Sequence, residues 1–244
     1  IVTAPRHSLL SQSRDAIESK VNLNGDGFGM AWYAPGSRDP GLYRECSPAW
    51  SDENLISLCR VVKSPLFIAH VRASTMGTTM RANCHPFVHG NWSFAHNGQI
   101  GGFLKLRRDL EGLLSDSLYN ARQGTTDSEL LFLLLLQFNL ESSPLTACSE
   151  VIALLEEWRE REGIREPLRL SFVMSDGTRL YGVRYATDRF SPTLYVSRQL
   201  DNGGVSLASE PLDGNPDNWD LLEVATMVEL GADNIVAHPL LGQK

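Results

Sequence analysis

Two long helical patterns lie in the middle of the sequence, with strand-like segments on both sides. The first helix is predicted to begin at Thr126 and includes the apolar run 130–138, and the second is an amphipathic segment from Leu145. The run is well short of the roughly 20 residues that a membrane span requires, so it is interpreted as a buried helix. This order predicts an α+β domain in which helices cover antiparallel sheets.

Strand patterns occur in both halves of the chain. They are bounded by Gly, Pro or Asn, and Asp176-Gly177 separates two of them in the manner of an antiparallel hairpin. The predicted strands cover residues 27–34, 66–74, 92–98, 168–186 (as a hairpin), 192–198 and 204–212.

Two further helices are predicted, one with Ser51 as its N-cap and one from Phe103. The segments near Gly203 and at 213–220 are predicted to be surface loops. With 42% hydrophobic residues the chain can bury one large core, and no linker or internal repeat divides it. Residues 1–244 are therefore predicted to form a single domain.

Charge and cysteine content narrow the possible partners. The net charge of −7 and the absence of basic runs argue against nucleic acid, and we expect no membrane partner. The four cysteines have irregular spacing and no CxxC pair, which indicates reduced thiols and a cytoplasmic location. No signal-peptide pattern is present, although the chain opens on Ile1 and not on Met.

Polar residues concentrate where predicted strands end and where one helix begins. At such positions, side chains and backbone donors can converge on a pocket. The candidates are His70, Arg72, Asn83, Cys84, His85, His96, Asn97, Gly98 and Asp127.

Each main candidate also has a purely structural interpretation. Arg72, between two apolar neighbours, is the pattern of a solvent-facing strand residue. Asp127 fits the first turn of a helix capped by Thr126, where a carboxylate is favoured without any ligand. Asn97-Gly98 is a common turn pair. Taken one at a time, these interpretations are the simpler ones.

The histidines do not predict a metal site. His70, His85, His89 and His96 lie close together in the sequence, but Pro86 prevents the helical i, i+4 spacing of a zinc protease. No paired thiolates or carboxylates accompany them. We predict no metal and no cofactor, and a metal-dependent hydrolase is kept as a weaker alternative that insensitivity to chelators would exclude.

Taken together, the candidates match a free amino acid that carries an amide. The Arg72 guanidinium suits an α-carboxylate and the Asp127 carboxylate suits an α-ammonium group, each at roughly 1.5–3 kcal/mol. The side-chain amide of Asn97 and the N–H of Gly98 could stabilise the oxyanion that forms when the amide carbonyl is attacked. The substrate is then held at one end and activated at the other.

An ordered set of motifs carries a family resemblance. The segments HVRAST, NCHPF, FAHNGQIGG and GTTDSE, with NGDGFGMAWY upstream and SEPLDGN downstream, resemble the class II glutamine amidotransferases. The similarity is to the stand-alone YafJ-like group, which also resembles the ergothioneine-pathway amidohydrolase, and it covers nearly the whole chain. It implies the N-terminal nucleophile hydrolase fold, a four-layer αββα sandwich of two antiparallel sheets between helices.

The resemblance implies the same roles for the four residues assigned above. It adds Thr75 and His85 as residues that help line a glutamine pocket. Two positions depart from some family members, because Ala73 replaces a bulky aromatic residue and Met76 replaces a histidine. The shape of the pocket, and with it the substrate, can therefore differ.

The family's nucleophile is an N-terminal cysteine whose own α-amino group acts as the base. We expect this cysteine, with the first strand, upstream of Ile1, and we predict no glutaminase activity if the natural protein begins at Ile1. Cys84 is an alternative nucleophile, but next to His85 on one strand it would point to the opposite face, which favours a packing role.

The implied reaction is hydrolysis of the γ-amide of glutamine, or of a γ-glutamyl conjugate, through a cysteine thioester that releases glutamate. Ammonia would diffuse away, pass to a separate synthetase or acceptor-enzyme partner, or not be formed when a conjugate is hydrolysed. The alternative is a catalytically inactive glutamine-binding module or partner subunit.

Overall fold

The computed structural model describes residues 2, 8–16, 23–73, 79–198, 200, 203–213, 215–231 and 234–240. Its helices are α1 (Leu9–Arg14), α2 (Glu53–Val61), α3 (Phe103–Glu111), α4 (Asp116–Ala121), α5 (Asp127–Gln137) and α6 (Pro144–Arg161). Its strands are β1 (Phe28–Trp32), β2 (Gly41–Glu45), β3 (Phe67–Val71), β4 (Phe87–His89), β5 (Trp92–Gln99), β6 (Arg169–Ser175), β7 (Leu180–Ala186), β8 (Tyr195–Ser197), β9 (Leu207–Ala208), β10 (Trp219–Leu221), β11 (Thr226–Leu230) and β12 (Ile235–Pro239). Short 3-10 turns cover Ala49–Ser51, Arg81–Asn83 and Pro216–Asn218.

The strands form one large and two small sheets. The large sheet has the order β12-β11-β7-β6-β5-β4, and the small sheets have the orders β2-β1-β3 and β10-β8-β9. Neighbouring strands in all three sheets are antiparallel. The hairpin predicted around Asp176-Gly177 joins β6 to β7, where the Asp176 carboxylate accepts hydrogen bonds from the backbone N–H groups of Thr178 and Arg179, both at 2.8 Å.

Helices α3 to α6 cover one face of the large sheet and form the main hydrophobic core with it. The helix α5 is apolar on every side because it is enclosed by the sheet and by the neighbouring helices. Its Phe132 ring lies 5.2 Å from that of Phe94 on β5 and nearly parallel to it, and the Phe94 ring also packs on Phe172 of β6. The interpretation of 130–138 as a buried helix is confirmed.

The small sheets cover the other face of the large sheet. The Tyr33 hydroxyl, just after β1, lies 2.9 Å from Ser93 Oγ and 2.9 Å from the carbonyl oxygen of Ser175. Leu194 and Val196 near β8 form a separate apolar cluster with residues of β11. The expected αββα sandwich is therefore confirmed, with its second sheet layer built from two short sheets.

Helices α1 and α2 contribute to the outer layer over β1, β2 and β3. Leu10 and Leu55 from these helices belong to one hydrophobic cluster with Phe28 and Met30 of β1. The sheet β2-β1-β3 is thus covered on both of its faces, which matters for the residues at its strand ends. No helix in the described ranges is both long and apolar enough to cross a membrane.

Two local predictions are wrong. The N-cap of α2 is Asp52, whose Oδ1 accepts a hydrogen bond from Leu55 N (2.7 Å), because Ser51 closes a 3-10 turn and donates its hydroxyl to Pro48 O. Residues 213–220 are not simply a surface loop, because they contain a 3-10 turn and begin β10. The buried Trp219 anchors this segment and donates its Nε1–H to Asp213 Oδ1 (2.9 Å).

Candidate active site

The last part of β5 carries Asn97 and Gly98. Residues 92–96 of this strand are buried, whereas Asn97, Gly98 and Gln99 are exposed. Asn97 pairs with Ser171 and Gly98 with Leu170 on β6, so both residues lie within the ladder. The turn that their sequence alone favours comes later, around 101–102, and the Asn-Gly pair is held on a rigid strand at the edge of solvent.

Only glycine fits at position 98. Its φ of +154° is rarely adopted by residues with a side chain, and a Cβ atom there would lie 2.6 Å from His96 Nε2 and collide with the carbonyl oxygen of Arg169. The His96 ring therefore lies directly beside the Gly98 backbone. Any side chain at position 98 would push β5 away from β6 or displace the imidazole.

The Asp127 carboxylate joins the first turn of α5 to the chain that follows β5. Its Oδ2 accepts a hydrogen bond from Ile100 N at 2.9 Å, and its Oδ1 accepts one from Ser128 N at 2.8 Å. Ser128 Oγ lies 3.0 Å from His96 Nδ1, so the same helix turn also contacts the strand. Asp127 is thereby bonded to Ile100, which lies two residues after Gly98 in the sequence.

The prediction that Thr126 caps the N-terminus of α5 is confirmed, but Glu129 does not complete a reciprocal bond. Thr126 Oγ1 accepts a hydrogen bond from Glu129 N at 3.1 Å. The Glu129 carboxylate does not return to Thr126. It accepts hydrogen bonds from Gln123 N (2.9 Å) and Gly124 N (2.6 Å), which holds the loop before the helix. Thr126 is thus the N-cap of α5, and Asp127 adds a bond to the first-turn N–H of Ser128.

Arg72 follows β3 and is buried, with only 5% of its surface exposed. Its Nη1 donates to the carbonyl oxygen of Asp26 (3.3 Å), and its own backbone N–H donates to Gly27 O (2.8 Å). The solvent-facing interpretation of Arg72 is therefore wrong. Both faces of the sheet β2-β1-β3 are covered, so an arginine at the strand end enters the interior whichever way it points.

Three histidines, His70, His85 and His96, each lie near Arg72 or Asp127. The His70 and His85 rings are 4.4 Å apart, and His85 also packs against Phe87 at 4.6 Å. Neither ring nitrogen of His85, nor Nδ1 of His70, has a hydrogen-bond partner among the described residues. Buried polar atoms usually find partners, so these nitrogens are available to a bound molecule.

Arg72 acts on His70 and His85, whereas Asp127 acts on His96. Burial, with further contributions from His96 and Arg72, lowers the pKa of His70 to about 4. Burial and the same neighbours, with His70 first among them, lower the pKa of His85 well below its usual value. Burial also lowers the pKa of His96, although Asp127 opposes this shift. All three rings are therefore neutral at neutral pH.

A second set of contacts braces the loop before α5. Asn83 is fully buried, accepts a hydrogen bond from Thr125 N (2.9 Å) and donates to Thr125 Oγ1 (3.3 Å). Sequence reasoning included Asn83 among the polar candidates but missed this role, and it missed Ser128 entirely. No sequence pattern links positions 83 and 125, since only folding brings them together.

The remaining predicted residues fall into three cases. Thr75 lies outside the described residues. Cys84 and His85 precede β4 instead of sharing a strand. Cys84 is buried, and its single S–H group lies within hydrogen-bonding distance of the carbonyl oxygens of Glu45 (3.4 Å) and Met80 (3.7 Å), so it packs as a thiol. No cluster of three or more His, Cys, Asp or Glu residues in the described ranges is arranged to hold a metal ion.

Comparison with known proteins decides the family. The sequence profile of the family described as glutamine amidotransferases class-II matches residues 10–232. The chain belongs to the class II glutamine amidotransferases. The resemblance inferred from the motifs is confirmed.

Two curated relatives illustrate the range of activities named in this family. "Probable glutamine amidotransferase DUG3" from Saccharomyces cerevisiae is 30% identical, over 100% of this chain and 80% of that protein. "Gamma-glutamyl-hercynylcysteine sulfoxide hydrolase" from Mycobacterium tuberculosis is 27% identical, over 87% of this chain and 79% of that protein. The chain is thus similar both to an amidotransferase and to a hydrolase.

Solved structures agree on the fold. A glutamine aminotransferase class-II domain protein from Silicibacter pomeroyi aligns with a TM-score of 0.77 at 39% identity, over 88% of this chain and 91% of that one. The Bacillus subtilis glutamine phosphoribosylpyrophosphate amidotransferase aligns with a TM-score of 0.60 at 18% identity, over 90% and 44% of the two chains, which shows a shared fold alone. The N-terminal nucleophile hydrolase fold is confirmed.

Proposed function

We propose that this class II glutamine amidotransferase hydrolyses the γ-amide of glutamine or of a γ-glutamyl conjugate and releases glutamate. Arg72 would bind the α-carboxylate and Asp127 the α-ammonium group of the substrate. Asn97 and Gly98 would stabilise the oxyanion, and Thr75 and His85 would line the pocket. Asn97 suits this role because it combines a free amide edge with a fixed position on a strand.

One observation carries the proposal: Arg72 and Asp127, which are far apart in the sequence, each lie beside part of one group of histidines. Arg72 acts on His70 and His85, whose rings are 4.4 Å apart. Asp127 acts on His96 and is joined to it through Ser128. A cation and a carboxylate near one such group suit the two charges of an amino acid. The ring nitrogens of His85, which have no partner among the described residues, would supply further polar contacts to the substrate. The hydrogen bond from Ile100 N would hold the Asp127 carboxylate next to the end of β5, where Gly98 lies.

The chemistry follows the order of these groups. The N-terminal thiolate that we expect upstream of Ile1 attacks the amide carbon, and its proton passes through the α-amino group to the leaving amine. The carbonyl oxygen carries the negative charge toward Asn97 Nδ2 and the Gly98 N–H until the C–N bond breaks. Water then attacks the thioester, which releases glutamate and restores the thiol.

The relatives support a choice between two substrate classes. An amidotransferase of this family would use glutamine and deliver ammonia to a synthetase or another acceptor-enzyme partner. A relative of the hydrolase would use a γ-glutamyl conjugate and need no acceptor. In this proposal the residues described above would contact only the glutamyl moiety, so they would serve both classes.

The test uses the full-length protein with its natural N-terminus, confirmed by intact mass. Glutamate release is measured from glutamine and from γ-glutamyl amides, for the wild type, Arg72→Lys and Asp127→Asn. Loss of one charged hydrogen bond is expected to raise KM by about 10- to 100-fold. Arg179→Lys, which changes an exposed arginine paired with Glu229, is the matched control and should leave KM unchanged.

Each outcome has a defined meaning. Unchanged KM in both site variants would overturn the assignments of Arg72 and Asp127. A glutamine-induced rise in melting temperature without glutamate formation would replace the enzyme by a glutamine-binding module. Loss of turnover with a chelator would favour the metal-dependent alternative.

A further inference from the structure

Two cysteines that are distant in the sequence lie side by side in the fold. Cys46 follows β2, and Cys84 follows the 3-10 turn at Arg81–Asn83. The Cys84 Sγ lies 3.4 Å from the carbonyl oxygen of Glu45, the residue before Cys46. Both cysteines are reduced in this structure.

Gly27 leaves room for this contact. Its φ of +121° favours glycine, and a Cβ atom at this position would lie 2.6 Å from Cys84 Sγ and 3.5 Å from Cys46 Cα. The sulfur of Cys84 and the backbone of Cys46 thus flank the same small space over Gly27. A disulfide requires such proximity of the two residues.

The other two cysteines have different surroundings. Cys59 on α2 packs against the hydrophobic cluster around β1, and Cys148 on α6 is buried in the main core. Neither belongs to the space over Gly27. Cys59 and Cys148 therefore serve as comparison cysteines for Cys46 and Cys84 within the same chain.

We propose that Cys46 and Cys84 form a redox-active pair that hydrogen peroxide converts to a disulfide. The Cys46 thiolate attacks one peroxide oxygen, the O–O bond breaks, and protonation of the leaving hydroxide gives water and a Cys46 sulfenic acid. The Cys84 sulfur then attacks the Cys46 sulfur, and the hydroxyl group leaves with the Cys84 proton as a second water. Two thiols are oxidised and one peroxide is reduced to two waters.

The surroundings divide the roles between the two thiols. Cys46 is half-exposed and meets the oxidant first, whereas Cys84 is fully buried. Burial, aided by the adjacent Cys46, raises the pKa of Cys84 to about 11, so it reacts slowly with peroxide in solution. The positive charges of Arg72 and Arg44 oppose this shift and favour the Cys84 thiolate when it attacks the neighbouring sulfur.

The pair is also connected to the candidate active site. The carbonyl oxygen of Cys84 accepts a hydrogen bond from Arg44 Nη1 at 3.1 Å, and the next residue is His85. A bond from Cys46 to Cys84 would therefore fix the chain immediately before the histidine that faces the pocket. The proposal does not depend on the proposed hydrolase function, since it concerns thiols outside that reaction.

The experiment treats the reduced protein with hydrogen peroxide, blocks the remaining thiols and maps the cysteine-containing peptides by mass spectrometry. The expected product is a peptide pair joined through Cys46 and Cys84, which dithiothreitol separates again. Cys84→Ala should instead accumulate a dimedone-reactive sulfenic acid at Cys46. Cys46→Ser should slow the oxidation of Cys84 on the order of 100-fold, as expected for a thiol whose pKa lies about two units above its ordinary value.

Cys59→Ser is the control and should form the Cys46–Cys84 product at the wild-type rate. The proposal is overturned if Cys46 of the wild type stops at the sulfenic or sulfonic acid without a cross-link. It is also overturned if Cys84 is oxidised equally fast in Cys46→Ser. Circular dichroism of each variant confirms that the fold is retained, and Cys46→Ser changes only a half-exposed side chain.

Discussion

The two faces of β5 and β6 are built from opposite kinds of side chain. Toward the helices, Phe94 and Phe172 pack with Phe132 in a core that contains few polar atoms. Toward the small sheets, Ser93 and Ser175 are also fully buried but need hydrogen-bond partners. The face toward the helices can stabilise the fold through the burial of apolar area alone. The face toward the small sheets also requires hydrogen bonds for its buried polar groups.

The face of β5 and β6 toward the small sheets, here called the polar side, differs in its hydrogen bonding from one end to the other. Near Tyr33 the two layers are joined by hydrogen bonds, because the Tyr33 hydroxyl contacts Asn91 O, Ser93 Oγ and Ser175 O. Near His85 two buried ring nitrogens have none among the described residues. The difference indicates where the fold is complete without a ligand and where a bound molecule would supply the missing contacts.

The largest expected effect tests the apolar face. Phe132→Ala removes a ring that is almost fully buried, and we expect the free energy of unfolding to fall by about 3–5 kcal/mol. Urea denaturation measures this loss, while glutamate release per folded molecule should stay at the wild-type level. Leu104→Ala, at a residue that is 74% exposed on α3, is the control and should change stability by less than about 0.5 kcal/mol.

The next effect is expected in rate and not in stability. Asn97→Ala removes one donor proposed for the oxyanion, and kcat should fall about 10²- to 10³-fold. Because Asn97 is exposed, its unfolding curve should overlay that of the wild type. Gln99→Ala changes an exposed residue on the same side of the strand and should retain kcat. Equal losses in the two variants would contradict the assignment of the donor.

The pH dependence of stability reports on the buried histidines. The pKa of His70 is about 4 in the folded protein and about 6.5 when unfolded, so the unfolded chain binds its proton first as the pH falls. Stability from this residue is complete above pH 6.5 and is lost toward pH 4, at up to about 1.4 kcal/mol per pH unit.

Urea denaturation at several pH values between 7.5 and 4.5 measures this slope. His70→Gln should reduce the slope, while His89→Gln, at a half-exposed position on β4, should retain it. Identical slopes in the wild type and His70→Gln would show that His70 does not stay neutral in the folded state.

The smallest effect is expected at Tyr33, whose hydroxyl already has hydrogen-bond partners within the fold. Tyr33→Phe removes a hydroxyl that contacts Asn91 O, Ser93 Oγ and Ser175 O, and it leaves buried groups without a partner. We expect a loss of about 1–3 kcal/mol in the free energy of unfolding and no change in KM. Tyr119→Phe, at an exposed position of α4, is the control. A raised KM in Tyr33→Phe would mean that the contacts of Tyr33 also affect substrate binding near His85.

The sequence allowed correct prediction of elements whose signal is local. The buried helix α5, the long helix α6 and the hairpin between β6 and β7 depend on periodicity and turn chemistry within a few residues. Short or mixed segments such as β2 and α4 carry no such signal and were not predicted. The strand β12 is exposed along most of its length and lacks an alternating pattern.

The site was predictable in composition but not in arrangement. The motifs identified Arg72, His85, Asn97, Gly98 and Asp127, yet the pattern around Arg72 gave no indication that both faces of its sheet would be covered. The contact of Ser128 with His96 joins residues 32 positions apart, and pairings of this kind depend on tertiary packing. The substrate roles, the single domain over residues 1–244 and the cysteine upstream of Ile1 stay predictions.

The hydrogen bond between Ile100 N and Asp127 Oδ2 ties the start of α5 to the end of β5. In the proposed binding mode, the separation between the Asp127 carboxylate and the Gly98 backbone would select substrates by the length of their side chain. An amino acid held at Asp127 would reach Gly98 with its amide only if its side chain had the matching length. Asparagine is shorter than glutamine by one methylene group. Its charged groups would still be bound, but its amide would not reach Gly98.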